Sequence, residues 1–174
     1  MHSAALMFEI TRGADLTFDQ IVCQREAILL RAAYRILGNW ADAEDVVQDV
    51  FLRLHRHGLN FANEAALGAW LYRVAVNLCI DRSRVARPTV EMPDLRASDP
   101  SAESEMLRDE RKQVLMLALA TLPARERAAV VLREIEGLAT ADVAAILGSS
   151  EGTVRSQVST AMARLRILLN KEAE

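Results

Sequence analysis

Residues 138–169, LATADVAAILGSSEGTVRSQVSTAMARLRILL, constrain the fold more than any other part of the chain. Thr140 is placed to cap a short helix that turns Val143, Ile146 and Leu147 inward, and Gly148 can end it in a left-handed turn. Ser150 can cap a second, longer helix. Its apolar positions, Val154, Val158, Ala161, Leu165, Leu168 and Leu169, recur at helical spacing. Short helix, tight glycine turn and longer helix make the helix-turn-helix plan, in which the second helix enters the DNA major groove N-terminus first. It would present Glu151, Thr153, Arg155, Ser156, Ser159 and Thr160 there. The same pattern also describes an αα-hairpin in any helical bundle, and locally both readings stand.

Composition favours helices elsewhere too. Only 7 glycines and 4 prolines interrupt 174 residues, which leaves room for long helical runs. That length suits one domain or two small ones. No apolar run reaches the ~18 residues of a membrane span, and the N-terminus lacks a basic segment followed by an apolar core. A cytoplasmic protein without membrane insertion is expected. Cys23 and Cys79 are isolated, which suggests neither a zinc site nor a disulfide framework. His55 and His57, two apart, point to different faces of a helix, and no metal is read there. No carboxylate pair, nucleophile–base set or Gly-rich phosphate loop is apparent, so neither catalysis nor a cofactor is expected.

A net charge of −3 argues mildly against a protein that grips DNA on its own. The charge is sorted into patches. Asp42, Glu44, Asp45 and Asp49 form an acidic run, and Arg82, Arg84 and Arg87 a basic one. Two patches of opposite sign suggest two different partners.

Residues 1–15 show no firm period and are expected to be a loose arm. Thr17 and Gln20 then match a capping box, with Leu16 and Ile21 placed as its hydrophobic staple. The helix that follows is expected to bury Val22, Ile28, Leu29, Ala32, Ile36 and Leu37 and to stop at Gly38. A second helix starts near Asn39, with Ala43, Val46, Val47, Val50, Phe51 and Leu54 inside. Its outer face carries Asp42, Asp45, Gln48, Asp49 and Leu52. A solvated face beside the helix N-terminus accounts for Asp42 and Glu44. It does not account for Leu52 next to Gln48 and Asp49, a mixed strip suited to a contact surface.

Gly58 breaks the second helix, and residues 58–66 read as a loop. A third helix runs to Pro88, with Trp70, Leu71, Val74, Ala75 and Leu78 toward the core. Arg73, Asn77, Asp81 and Arg84 recur along another face. They describe a solvated stripe with an i,i+3 ion pair, or, with aromatic residues and a basic helix end nearby, a surface for unpaired bases and phosphates. Residues 89–104 hold two prolines and an excess of acid, which marks a semi-extended linker. A helix from about Glu105 to Leu122 follows, with Leu107, Val114, Leu115 and Ala118 inside. The next starts at Pro123 and buries Ala128, Val131, Leu132 and Ile135 before Gly137. The expected fold is all-α: two small helical domains, 16–88 and 105–174, joined by the acidic flexible linker.

Four segments together, DAEDVVQDVFLRL from Asp42, WLYRVAVN from Trp70, LPARER from Leu122 and the stretch 137–166, resemble the two-domain bacterial sigma factors of the extracytoplasmic-function group. The resemblance covers nearly the whole chain. It implies a promoter-specificity subunit whose partners are core RNA polymerase (the β′ clamp and β subunits), promoter DNA and an anti-sigma factor. By the same resemblance Asp45, Gln48, Asp49 and Leu52 would meet the β′ clamp. The loop 61–69, including Phe61 and Asn63, would hold a base flipped from the −10 element. Asn77, Arg82, Arg84 and Arg87 would take the neighbouring DNA. Glu151, Thr153, Arg155, Ser156, Ser159 and Thr160 would face the −35 element. Gln157, Ser159 and Thr160 stand where family members usually carry more base, and the −10 loop is rich in alanine. A sigma mimic that titrates an anti-sigma factor predicts an eroded DNA face, yet Arg82, Arg84, Arg87 and Arg155 are kept. A stand-alone helix-turn-helix regulator leaves the acidic helix and the Trp70 segment unexplained.

Overall fold

The computed structural model describes residues 16–85 and 102–171, with side chains described over 16–84 and 111–169. The expected arm 1–15, Arg87, Pro88, most of the linker and the Leu107 side chain lie outside these residues. The described chain is helical and contains no strand. Its elements are α1 (Phe18–Leu37), α2 (Trp40–His57), α3 (Glu64–Val85), α4 (Ala102–Ala120), α5 (Ala124–Val130), α6 (Thr140–Leu147) and α7 (Glu151–Lys171).

Local chemistry sets most of the boundaries. Thr17 and Gln20 form the expected capping box at α1, with reciprocal bonds of 2.9 and 3.4 Å. Gly38, at φ 77°, ends α1, and the Asn39 side chain starts α2 by accepting from the Asp42 amide at 2.8 Å. Ser150 Oγ accepts from the Thr153 amide at 3.1 Å and starts α7. Thr140 is not the cap expected of it. It is the first residue of α6, whose capping position is Ala139, and its hydroxyl instead accepts from Arg133 Nε at 3.3 Å. The fourth helix begins at Ala102, three residues ahead of the expected Glu105.

Helices α1, α2 and α3 form one bundle and α4 to α7 a second. All six expected inner residues of α2 are buried. In α1, Val22 and Ile28 are only half-buried, while Ile21 and Ala33 join the core. The α3 expectation needs a larger correction. Leu71 and Ala75 are buried as expected, but so are Leu67, Tyr72, Val76, Cys79 and Ile80, whereas Trp70, Val74 and Leu78 are half-buried. The reason is that α3 packs against α1 and α2 and also against α5 and α6. A helix with that many neighbours buries an arc wider than the usual apolar stripe.

The second bundle departs in three places. After Val130 the helix widens into a π turn over Val131–Ile135, where the Glu136 amide reaches back to Val131 O at 2.8 Å before Gly137 turns the chain. In α4, Met116 and Leu119 are buried with Ala118, while Val114 and Leu115 are half-buried. At the end of α7, Leu165 is buried, but Leu168 is only half-buried and Leu169 is exposed.

Gly148 closes α6 at φ 60°, and nothing lies within 4 Å of where a Cβ would stand. Its replacement is therefore a test of backbone conformation alone. Gly148→Ala should lower stability by about 1 kcal/mol, and Gly148→Asn by less. Urea denaturation reads this directly; an unchanged midpoint for the alanine variant would mean that the turn relaxes out of the left-handed region.

Candidate nucleic-acid interface

Three surfaces carry the residues singled out in the sequence. The first is the outer face of α2. Asp45, Gln48 and Leu52 are exposed and Asp49 half-buried, with Leu52 at 55% exposure. Arg82 of α3, expected among the DNA-facing bases, reaches across to this acidic face. Its Nη1 lies 3.2 Å from Asp45 Oδ2 and 3.5 Å from Asp42 Oδ1, and its Nη2 lies 3.6 Å from Asp49 Oδ2. The acidic and basic patches, 37 residues apart for the Asp45 pair, thus meet in space. All four side chains keep access to water, so each pair adds at most about 1 kcal/mol.

The second surface is the turn after α2 and one side of α3. Helix α3 begins at Glu64, so the loop is the short segment 58–63, and residues 64–69 are helical. Asn63 Oδ1 accepts from the Ala66 amide at 2.8 Å. That oxygen is engaged in starting α3, which leaves the amide nitrogen to meet a ligand. Phe61 is half-buried, its ring set between His57 and Trp70. Trp70, Asn77 and Arg84 succeed one another at seven-residue intervals, which puts them on nearly one line along α3. Asn77 and Arg84 are exposed, and Arg84 makes the expected pair with Asp81 at 3.8 Å. Arg82 falls on a different face, which is why it meets α2.

The third surface is the N-terminal half of α7. Val154 and Ala161 are buried. Glu151, Thr153, Arg155, Ser156, Ser159 and Thr160 are all exposed along the opposite side. Arg155 Nη2 donates to Glu151 Oε2 at 2.6 Å, a pair one helical turn apart. The helix is held from behind by Arg164 with Glu126 of α5 at 2.7 Å, while Arg125 donates to Leu147 O at the end of α6 at 2.6 Å.

Two residues given no role in the sequence acquire places here. Arg127 is buried, and its guanidinium donates to carbonyls of both bundles. His57 stacks on Phe61. For the second, the signal in the sequence was a histidine closing a helix just before Gly58, with an aromatic residue at 61.

Comparison with known proteins places the whole chain in a family. Residues 24–89 match the family described as Sigma-70 region 2, and residues 112–165 that described as Sigma-70, region 4. The ECF RNA polymerase sigma factor SigM of Mycobacterium tuberculosis (strain H37Rv) is 37% identical over 95% of this chain and 84% of its own length. The sigma factor RpoE of Bartonella quintana, solved with the anti-sigma factor NepR, superposes with a TM-score of 0.65 at 25% identity, covering 88% of this chain and 96% of that one. CnrH, solved with the cytosolic domain of CnrY, gives the same TM-score at 28% identity over 88% of each chain. With both sigma regions present in order and a relative of this similarity along nearly its whole length, the chain belongs to the ECF RNA polymerase sigma factors.

Proposed function

We propose that this chain binds core RNA polymerase through α2, reads and opens the −10 element with the 58–63 turn and the Trp70–Asn77–Arg84 line of α3, and reads the −35 element with α7. The domains would be 16–88 and 105–174, with 89–104 linking them and 1–15 as an arm. The observation that carries the reading is the mixed strip on α2: Leu52 stands 55% exposed beside Gln48 and Asp49 while every inner residue of that helix is buried. An apolar side chain left in water within an acidic strip is suited to a protein partner. Arg82 steadies that strip in the free protein, and Arg84 and Asn77 meet the DNA. The polymerase supplies the chemistry, and this chain acts in the cytoplasm without catalysis of its own. Among the described residues no helix is long and apolar enough to cross a membrane. The pairing of the similar RpoE with the anti-sigma factor NepR supports an anti-sigma factor as a further partner.

The decisive experiment is transcription in vitro with purified core polymerase on genomic fragments, with start-site mapping. Discrete starts should require both the chain and core polymerase. The chain alone, with its net charge of −3, should bind promoter duplex only weakly. Tight, sequence-specific duplex binding without polymerase would favour a stand-alone regulator instead.

The polymerase contact has its own test. Asp49 sits half-buried on the strip, and its pairing with Arg82 is open to water. Asp49→Arg should therefore change stability by only about 0.5 kcal/mol while weakening core binding. Unchanged core affinity in the folded variant would remove α2 from the interface.

A further inference from the structure

His57 takes no part in the polymerase, −10 or −35 contacts so far assigned, although it is the outermost member of a compact aromatic group. It ends α2 and is exposed. Its Nδ1 lies 3.1 Å from Gly58 O, close enough to donate and hold the ring. The chain then turns at Gly58, and the Phe61 amide donates to Leu59 O at 3.0 Å. This brings the Phe61 ring under the imidazole, with centroids 5.0 Å apart and planes within 21°. Trp70 lies 5.1 Å from His57 and 5.7 Å from Phe61, its ring at 61° to Phe61. Phe61 and Trp70 are half-buried and packed against the core.

Phe61 is therefore not an open platform. One face is taken by His57, and the ring is packed against the core and against Trp70. The exposed aromatic surface of the group is the imidazole. Asn77 lies on the Trp70 line of α3, seven residues and about 10 Å further along. We propose that His57 is the surface on which the captured −10 base stacks, so that the end of α2 forms a binding site for one unpaired nucleobase with Phe61 and Trp70 as its backing. This rests on the reading that the 58–63 turn takes a flipped base. Every base has a π face, and so does a neutral or charged imidazole. Stacking supplies affinity without choosing among bases, and the choice falls to the polar groups around the base edge.

The test uses holoenzyme reconstituted with core polymerase and a fluorescent single-stranded oligonucleotide carrying the non-template −10 sequence. His57→Ala should weaken binding about tenfold, the scale of one lost base–aromatic stack. His57→Tyr should stay within about twofold, because it restores a ring. Affinity for core polymerase and for −35 duplex should not change with either variant. A second set of strands, each with one abasic −10 position, separates a stack from a prop for the loop. One abasic position should cost the unaltered holoenzyme about tenfold or more and cost the His57→Ala holoenzyme clearly less, since only the edge contacts are left for it to remove. If His57→Ala binds the intact strand as well as the unaltered protein, or if the abasic penalty is equal in both, His57 does not carry the base. Exchanging residues 62–66 for those of a relative distinguishes the two levels of failure. If that exchange shifts the preferred −10 base while His57→Ala is neutral, only the His57 assignment falls. If neither changes anything, base capture by this turn falls with it.

Discussion

Arg127→Ala is expected to lower the stability of the protein by about 3–4 kcal/mol, far more than the loss of an exposed charged side chain. Arg127 is 5% exposed, and its guanidinium lies among backbone carbonyls. Nη1 donates to Ile36 O at 2.7 Å, and Nη2 donates to Ala120 O at 2.8 Å and Leu122 O at 3.0 Å. Ile36 stands in the last turn of α1 and Ala120 ends α4, so these are carbonyls that their own helices leave without an amide partner. The negative ends of both helix dipoles face the cation, which offsets part of its desolvation. The balance remains costly: burial pushes the guanidinium below its usual pKa, and Nε has no partner among the described residues. Removing the side chain leaves buried acceptors unpaired and a cavity beside them. Arg127→Met keeps much of the volume and should recover only the packing part. Chemical denaturation of the two variants gives both numbers; a loss below about 1 kcal/mol in the alanine variant would mean that water readily replaces the guanidinium at these carbonyls. Because Ile36 belongs to the first bundle and Arg127 to the second, the same bond also ties the two together.

Arg155→Ala carries the largest expected effect on promoter use. Arg155 is exposed on the outer side of α7, paired with Glu151, and it is the one base among the six residues proposed to face the −35 element. An arginine held in plane by a carboxylate one turn away is ready for a two-pronged contact with a base edge. Losing one such contact removes about 1–3 kcal/mol, or about five- to 150-fold in affinity. The exposed pair with Glu151 contributes little to the fold, so the variant should melt like the unaltered protein. Initiation at promoters that depend on the −35 element should fall by that factor, and a template already opened around −10 should still be used. Equal loss on both templates would place Arg155 outside the −35 contact.

Many of the helix boundaries were legible in the chain, because each rests on groups three or four residues apart. Thr17 with Gln20, Asn39, Ser150, Gly38 and Gly148 all act where their spacing placed them. The inner face of α2 was equally legible, since that helix is buried on one side only and its apolar residues repeat with the helical period. Exposure of the six α7 residues followed from the same periodicity, and the family followed from four motifs in order.

What tertiary structure decided are the features whose partners are far away or are backbone. The buried side of α3 was misjudged because α1, α2, α5 and α6 all pack against it, and a helix with that many neighbours buries an arc wider than the usual apolar stripe. Arg82 read as one more exposed base until α2 brought three carboxylates within 3.6 Å of it. The Thr140 hydroxyl was free to cap its helix, but Arg133 from the π turn reaches it instead. Arg127 bonds to carbonyls, and every residue carries a carbonyl, so no side-chain pattern announces which will be left open at a helix end. Periodicity and caps are properties of neighbours along the chain; which orphan carbonyl meets which cation is settled only when separate helices pack.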